Sequence, residues 1–143
     1  MDIESTQPKE LLPLTRLLEA AGLPTSDLTL TSLGHFLSLR DGQTLVGAIG
    51  LDVVGEIALL RSLVVDPDWR KRGLGGELVR AAEAHAVQHG VGQLFLLTTT
   101  ADQFFASRGY VNADRADAPD AVRRMPQFAE LCPASSSFMT KVL

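Results

Sequence analysis

The sequence predicts an α/β domain, and three neighbouring features predict it. Residues 57–65 are apolar on both faces, as in a strand buried at the centre of a sheet. A glycine-rich turn follows at residues 70–76, and after it Leu78, Ala82 and Ala86 recur every four positions, as on one face of a helix over residues 75–89. The 143 residues suffice for a single domain over residues 1–143, and an apolar content of 45 % is enough for a continuous core.

The remaining elements follow in order. Leu11, Leu14, Leu18 and Ala21 share a stripe between Pro8 and Gly22, which predicts an amphipathic helix over residues 9–21. Apolar runs at residues 33–39 and 44–51 flank Asp41-Gly42, a hairpin signal. Gly55 breaks the chain before the central strand, and Gly90 stops the second helix behind His89. Residues 94–97 read as a short buried strand, Asp102 opens a brief helix through Phe104 and Phe105 that ends at Gly109, and residues 137–143 read as a final strand. Between them, residues 121–131 read as partly helical despite Pro126.

Composition excludes several classes. No apolar run approaches the roughly 18 residues of a membrane span, and the first residues lack the basic start and apolar stretch of a signal peptide, so a cytoplasmic protein is expected, with no membrane partner. A formal charge of −4 argues against nucleic acid as a partner. The single Cys132 and three histidines, His35, His85 and His89, form no recognised Cys/His spacing, so no metal is expected.

Chemistry is concentrated in the turn. Glycines let the backbone approach a ligand closely, and the first N–H groups of the following helix are unpaired donors at the positive end of its dipole, so the turn suits a phosphate or pyrophosphate. It is neither a Gly-x-x-x-x-Gly-Lys-Ser/Thr loop nor a Gly-x-Gly-x-x-Gly/Ala fingerprint, since Leu78 stands where the latter needs a small residue. Arg61 and Ser62 interrupt the central strand and need partners, structural or from a substrate; an Arg fork suits a carboxylate.

The segment Arg70-x-x-Gly73-x-Gly75 resembles the Gln/Arg-x-x-Gly-x-Gly/Ala signature of the GNAT superfamily of N-acetyltransferases. Leu63-Val64-Val65-Asp66-Pro67 before it and the stretch from Ala101 to Gly109-Tyr110 after it resemble the family's central strand and its later helix. Ala58 to Leu63, Leu97 to Thr100 and Leu131 to Ser135 further resemble the small members named for arsenic-resistance operons. The resemblance implies the GNAT acyltransferase fold: a mixed central sheet of about six to seven strands flanked by helices, with a splayed pair of central strands. It implies acetyl-CoA as cosubstrate, held by Arg70, Lys71, Arg72, Gly73, Leu74, Gly75 and Gly76 at the pyrophosphate and by Leu63, Val64 and Val65 along the pantetheine arm, with Thr98 and Phe105 also at the cofactor. Direct attack by an amine on the thioester is expected, without a covalent enzyme intermediate.

Many members carry a tyrosine where Phe105 stands and an asparagine where Thr98 stands. Tyr110, Ser107 or a water is left as proton donor, and Glu56 lies where the family sometimes places a base. Arg61, Ser62 and Thr99 are the expected acceptor-side residues. Cys132 is singled out as a group that an arsenic-containing or thiol-reactive substrate would meet, beside its plain reading as a small core residue. The acceptor expected is a small-molecule primary amine, an amino acid or amino-acid-like toxin included. Acetylation of a protein N-terminus or lysine, a non-catalytic CoA-binding module, and a homodimer stay open.

Overall fold

The computed structural model describes residues 2–131 and 135–143, with backbone alone at residues 130 and 131; Cys132 lies outside the described residues. Seven strands form one mixed sheet: β1 (Asp2–Ser5), β2 (Phe36–Asp41), β3 (Thr44–Val54), β4 (Ile57–Val65), β5 (Gln93–Thr98), β6 (Val111–Asn112) and β7 (Ser137–Val142), in the order β1-β2-β3-β4-β5-β7-β6. Every pairing is antiparallel except that of β4 with β5. This parallel step is spanned by helix α2 (Leu74–Gln88), the crossover that a parallel pair requires. The other helices are α1 (Leu11–Ala20), α3 (Asp102–Ala106) and α4 (Asp120–Arg123).

Both faces of β4 are covered, which explains its run of apolar residues. On one face Leu74, Leu78, Val79, Ala82 and Ala86 of α2 pack on Leu37, Ile49, Leu51, Ala58 and Leu60. On the other, Leu14 and Leu18 of α1 pack with Phe36, Ala48 and Val64, while Val122 and Met125 cover Leu59, Phe95 and Phe138. The N-terminal piece is pinned to the sheet by a charge pair: the Arg40 guanidinium donates to the buried Glu10 carboxylate at 2.6 and 2.9 Å. That hydrogen bond, outweighing burial, holds the Glu10 carboxyl below its usual range. No helix among the described residues is long and apolar enough to cross a membrane.

Several boundaries differ from the sequence expectation. The run at 33–39 is divided: Thr31–His35 is a 3-10 turn in which Leu33 is buried under α1, and the strand starts only at Phe36. β1 carries no strand signature because it is short and mostly exposed; its partner, β2, lies more than thirty residues away. The segment at 121–131 divides into α4 and a single π-helical turn at Gln127–Leu131, on either side of Pro126.

Candidate active site

The site begins where β4 loses a neighbour. Its pairing to β5 runs from Ile57↔Gln93 to Leu60↔Leu96 and stops, although both strands continue. The antiparallel pairing to β3 persists to Val65, but the one residue of β3 between Ala48 and Gly50 stands against two of β4, Ser62 and Leu63, between Arg61 and Val64. The extra residue is a β-bulge, the device that bends a strand away from its ladder. Ser62, within the bulge, has φ of 58°, a left-handed conformation disfavoured for any residue with a Cβ. The second half of β4 therefore bends away from β5 and leaves a V-shaped opening.

Two connected walls line that opening. A cleft of about 840 Å³ runs past Leu63, Val64, Val65, Arg70, Gly75 and Thr99. A narrower one of about 390 Å³ reaches deeper, to Arg61, Ser62, Thr98 and Phe105. Gly73, with φ of 75°, caps α2 in a left-handed conformation, without a side-chain hydrogen bond and with open space where a Cβ would project. The first-turn N–H groups of this 15-residue helix thus end at the cleft without a side-chain cap. Arg70 Nε donates to the Val65 carbonyl at 3.1 Å and ties the turn to the end of β4. Arg72 lies over the Trp69 ring at 4.8 Å, so Trp69 packs against the basic turn. Lys71 shares the left-handed geometry, with φ of 64°, and is exposed. These features fit a pyrophosphate: donors, positive charge and room for a close approach.

The opposite wall comes from the β5–α3 connection. Thr98 Oγ1 accepts from the Ala101 N–H at 3.0 Å and closes the turn into α3. Phe105 is buried, edge-on to Phe104 and to Tyr110. The Arg108 guanidinium, just past α3, lies over Gly76, where a Cβ would sit 2.7 Å from it and displace that side chain.

Arg61 arrives at the cleft already paired. Its side chain is 2 % exposed and donates to both Asp27 oxygens, at 2.5 and 2.8 Å, and to Asp52 at 3.3 Å. Its Nε donates to Ser62 Oγ at 3.0 Å. Burial pushes the Asp27 carboxyl up, but the Arg61 hydrogen bond and charge outweigh it and leave Asp27 below its usual range. At Asp52, whose contact with Arg61 is weaker, burial wins and the carboxyl is raised.

Two expected catalytic residues lie elsewhere. Tyr110 is 1 % exposed and packed in the core under α2; its hydroxyl donates to Glu83 at 2.8 Å, and Lys141 donates to the same carboxylate. Burial first, and then Glu83, drive its pKa far above the ordinary phenol value, so it is a poor proton donor. Glu56 sits exposed in the β3–β4 turn, at the end of β4 remote from the glycine turn, about 20 Å from Ser62 at about 3.3 Å per strand residue. The structure does bring together the 63–65 segment, Arg70, Gly75, Thr98, Thr99, Phe105, Arg61 and Ser62. Sequence reading missed Asp27, in a turn with no periodicity, together with Leu23 and Pro24, which line the narrower cleft. Their only signal was the unexplained polar pair in β4.

The chain matches the Acetyltransferase (GNAT) family over residues 5–111. An amino-acid acetyltransferase of Pasteurella multocida is 31 % identical over 119 residues, covering 80 % of this chain and 27 % of that protein. Among solved structures, N-acetylglutamate synthase from Neisseria gonorrhoeae, complexed with coenzyme A and N-acetyl-glutamate, superposes with a TM-score of 0.86 at 20 % identity, over 99 % of this chain and 35 % of that one. Rv2747 from Mycobacterium tuberculosis, in complex with CoA, gives 0.83 at 18 % identity, over 100 % and 99 % of the two chains. The chain spans about a quarter to a third of the length of the first two.

Proposed function

The chain belongs to the GNAT acetyltransferase family, and from that premise we propose that residues 1–143 act as one domain that transfers the acetyl group of acetyl-CoA to the primary amine of a small amino acid. The observation that carries this reading is the opening between β4 and β5, which puts an unpaired strand edge beside an uncapped helix N-terminus.

Acetyl-CoA supplies an acyl group activated as a thioester. In this reading the first turn of α2, with Arg70, Lys71, Arg72, Gly73, Leu74, Gly75 and Gly76, holds the pyrophosphate. Leu63, Val64 and Val65 offer backbone to the pantetheine arm, with Thr98 and Phe105 on the opposite wall. A neutral amine attacks the carbonyl carbon; the C–N bond forms, the C–S bond breaks, and the amine proton passes to the leaving thiolate directly or through water. The transient oxyanion is stabilised by a backbone N–H of β4 beyond Leu60, where the ladder to β5 has ended. Ser62 and Thr99 face the acceptor. Arg61 acts as a positioning residue that fixes the Ser62 hydroxyl, while Tyr110 and Glu56 carry no step.

The amino-acid class rests on the names of the relatives: the Pasteurella multocida protein is an amino-acid acetyltransferase, and the Neisseria gonorrhoeae structure holds N-acetyl-glutamate. These relatives favour an amino acid over the arsenic-linked substrates that the narrower resemblance suggests. The test is acetyl-CoA turnover with amino acids against their decarboxylated amines, read by CoA release and the mass of the product. N-acetylated amino acid in clear excess is expected. Equal use of the decarboxylated amines would overturn the amino-acid class, and CoA binding without turnover on any amine would overturn the transfer itself.

A further inference from the structure

All three histidines of the chain meet at one place, although fifty residues separate the first from the second. His35 ends the 3-10 turn before β2; His85 and His89 lie one turn apart at the end of α2. One ring nitrogen from each lies within 4.8 Å of the other two. His35 Nδ1 and His85 Nε2 are 3.0 Å apart, and the rings of His85 and His89 stack at 4.1 Å. We propose that His35, His85 and His89 bind a divalent first-row transition ion such as zinc, at a site separate from the acetyl-transfer cleft.

Three features carry the proposal. Two nitrogens on a tetrahedral zinc lie about 3.3 Å apart, given Zn–N of about 2.0–2.1 Å; the His35–His85 pair, hydrogen-bonded at 3.0 Å, is close to that spacing and would exchange its shared proton for the ion, and His89 needs only a modest ring movement. His89 Nδ1 lies 2.8 Å from the His85 backbone carbonyl, to which it donates as N–H, so Nε2 is the nitrogen that carries the lone pair. This is the outer hydrogen bond that fixes the tautomer of a ligating imidazole. Finally, the C-terminal end of α2 carries partial negative charge, which favours a cation. Three imidazoles without a carboxylate in the set select zinc, copper, nickel or cobalt over magnesium or calcium. His89 is exposed, so the remaining position is open to water.

His85 and His89 lie 11 and 15 residues along α2 from Leu74, about 20 Å from the glycine turn at about 1.5 Å per residue. The ion would cross-link the turn before β2 to the end of α2, and its binding would stabilise the fold.

The experiment titrates Zn²⁺ and Co²⁺ into the untagged chain of residues 1–143, after chelator treatment, by calorimetry and by the visible absorption of Co²⁺. One ion per chain is expected, with a rise in thermal midpoint and no response to Mg²⁺. His89→Ala, an exposed change outside the core, should weaken binding by at least the 10–100-fold that an outer-shell change costs, and His85→Ala/His89→Ala should abolish it. No stoichiometric binding by wild type, or unchanged affinity in the double variant, would overturn the site. CoA binding by the same variants stays at the wild-type level, so failure of this site leaves the acetyl-transfer reading untouched.

Discussion

The two halves of β4 are built from similar residues and do different work. Ile57 to Leu60 is hydrogen-bonded to β3 and β5, and Ala58, Leu59 and Leu60 are buried. Arg61 to Val65 keeps only β3, carries a left-handed serine, and faces a cleft. One half stores stability and the other gives up a ladder to expose backbone. The lesson is that a single extra residue in a strand can convert core into site, and the buried salt bridge beside it keeps the bend in place.

If that division holds, substitutions in the first half should register in stability and those in the second half in binding or turnover. The largest stability effect is expected at the boundary. Arg61→Ala leaves Asp27 and Asp52 without their cation and should cost about 3–5 kcal/mol, measured by denaturant unfolding. Asp27 lies below its ordinary range, so its share is complete above about pH 4 and declines as pH falls through the lowered value. Asp52 acts in the opposite sense: the native state gains stability as acid protonates it between its raised and ordinary values. A stable Arg61→Ala variant with a raised KM would show instead that the guanidinium serves substrate directly.

Next comes Leu59→Ala, in the doubly paired half. It should cost about 2–5 kcal/mol and leave CoA affinity unchanged; a loss of affinity would blur the division. Ser62 sharpens it further. Ser62→Val and Ser62→Gly both lose the hydroxyl that accepts from Arg61, so their difference isolates the backbone, and valine should be the less stable by about 1–3 kcal/mol. Equal stabilities would mean that the bulge relaxes without cost. The smallest effect is expected at Tyr110: Tyr110→Phe should keep kcat within tenfold, below the ~10²–10⁴-fold usual for a general acid, and a larger loss in a folded variant would restore Tyr110 as proton donor.

The same contrast describes what was legible in the sequence. β4, α2 and the turn between them were readable because burial on both faces, four-residue spacing and glycine each leave a local pattern. β5, α3 and β7 followed within a residue or two at most boundaries. Arg61 and Ser62 stood out as polar residues in an apolar run, but their meaning depends on Asp27, thirty-four residues away, and on a bulge that has no composition signal. Tyr110 was misplaced for a related reason: an aromatic after Gly109 looks the same in sequence whether it faces the cleft or Glu83. The histidine cluster was invisible because its spacing belongs to the packing of α2 on the sheet.

The central claim is that the glycine turn and the open edge of β4 hold CoA. Calorimetric titration of CoA into wild type, Gly73→Asn and Gly73→Glu tests it most directly. Asparagine tolerates the left-handed conformation and adds no charge, so that variant should bind nearly as wild type does. Glutamate places a carboxylate in the open space beside the expected pyrophosphate and should weaken binding at least a hundredfold while the chain stays folded. Equal CoA affinity in a folded Gly73→Glu variant would contradict the assignment.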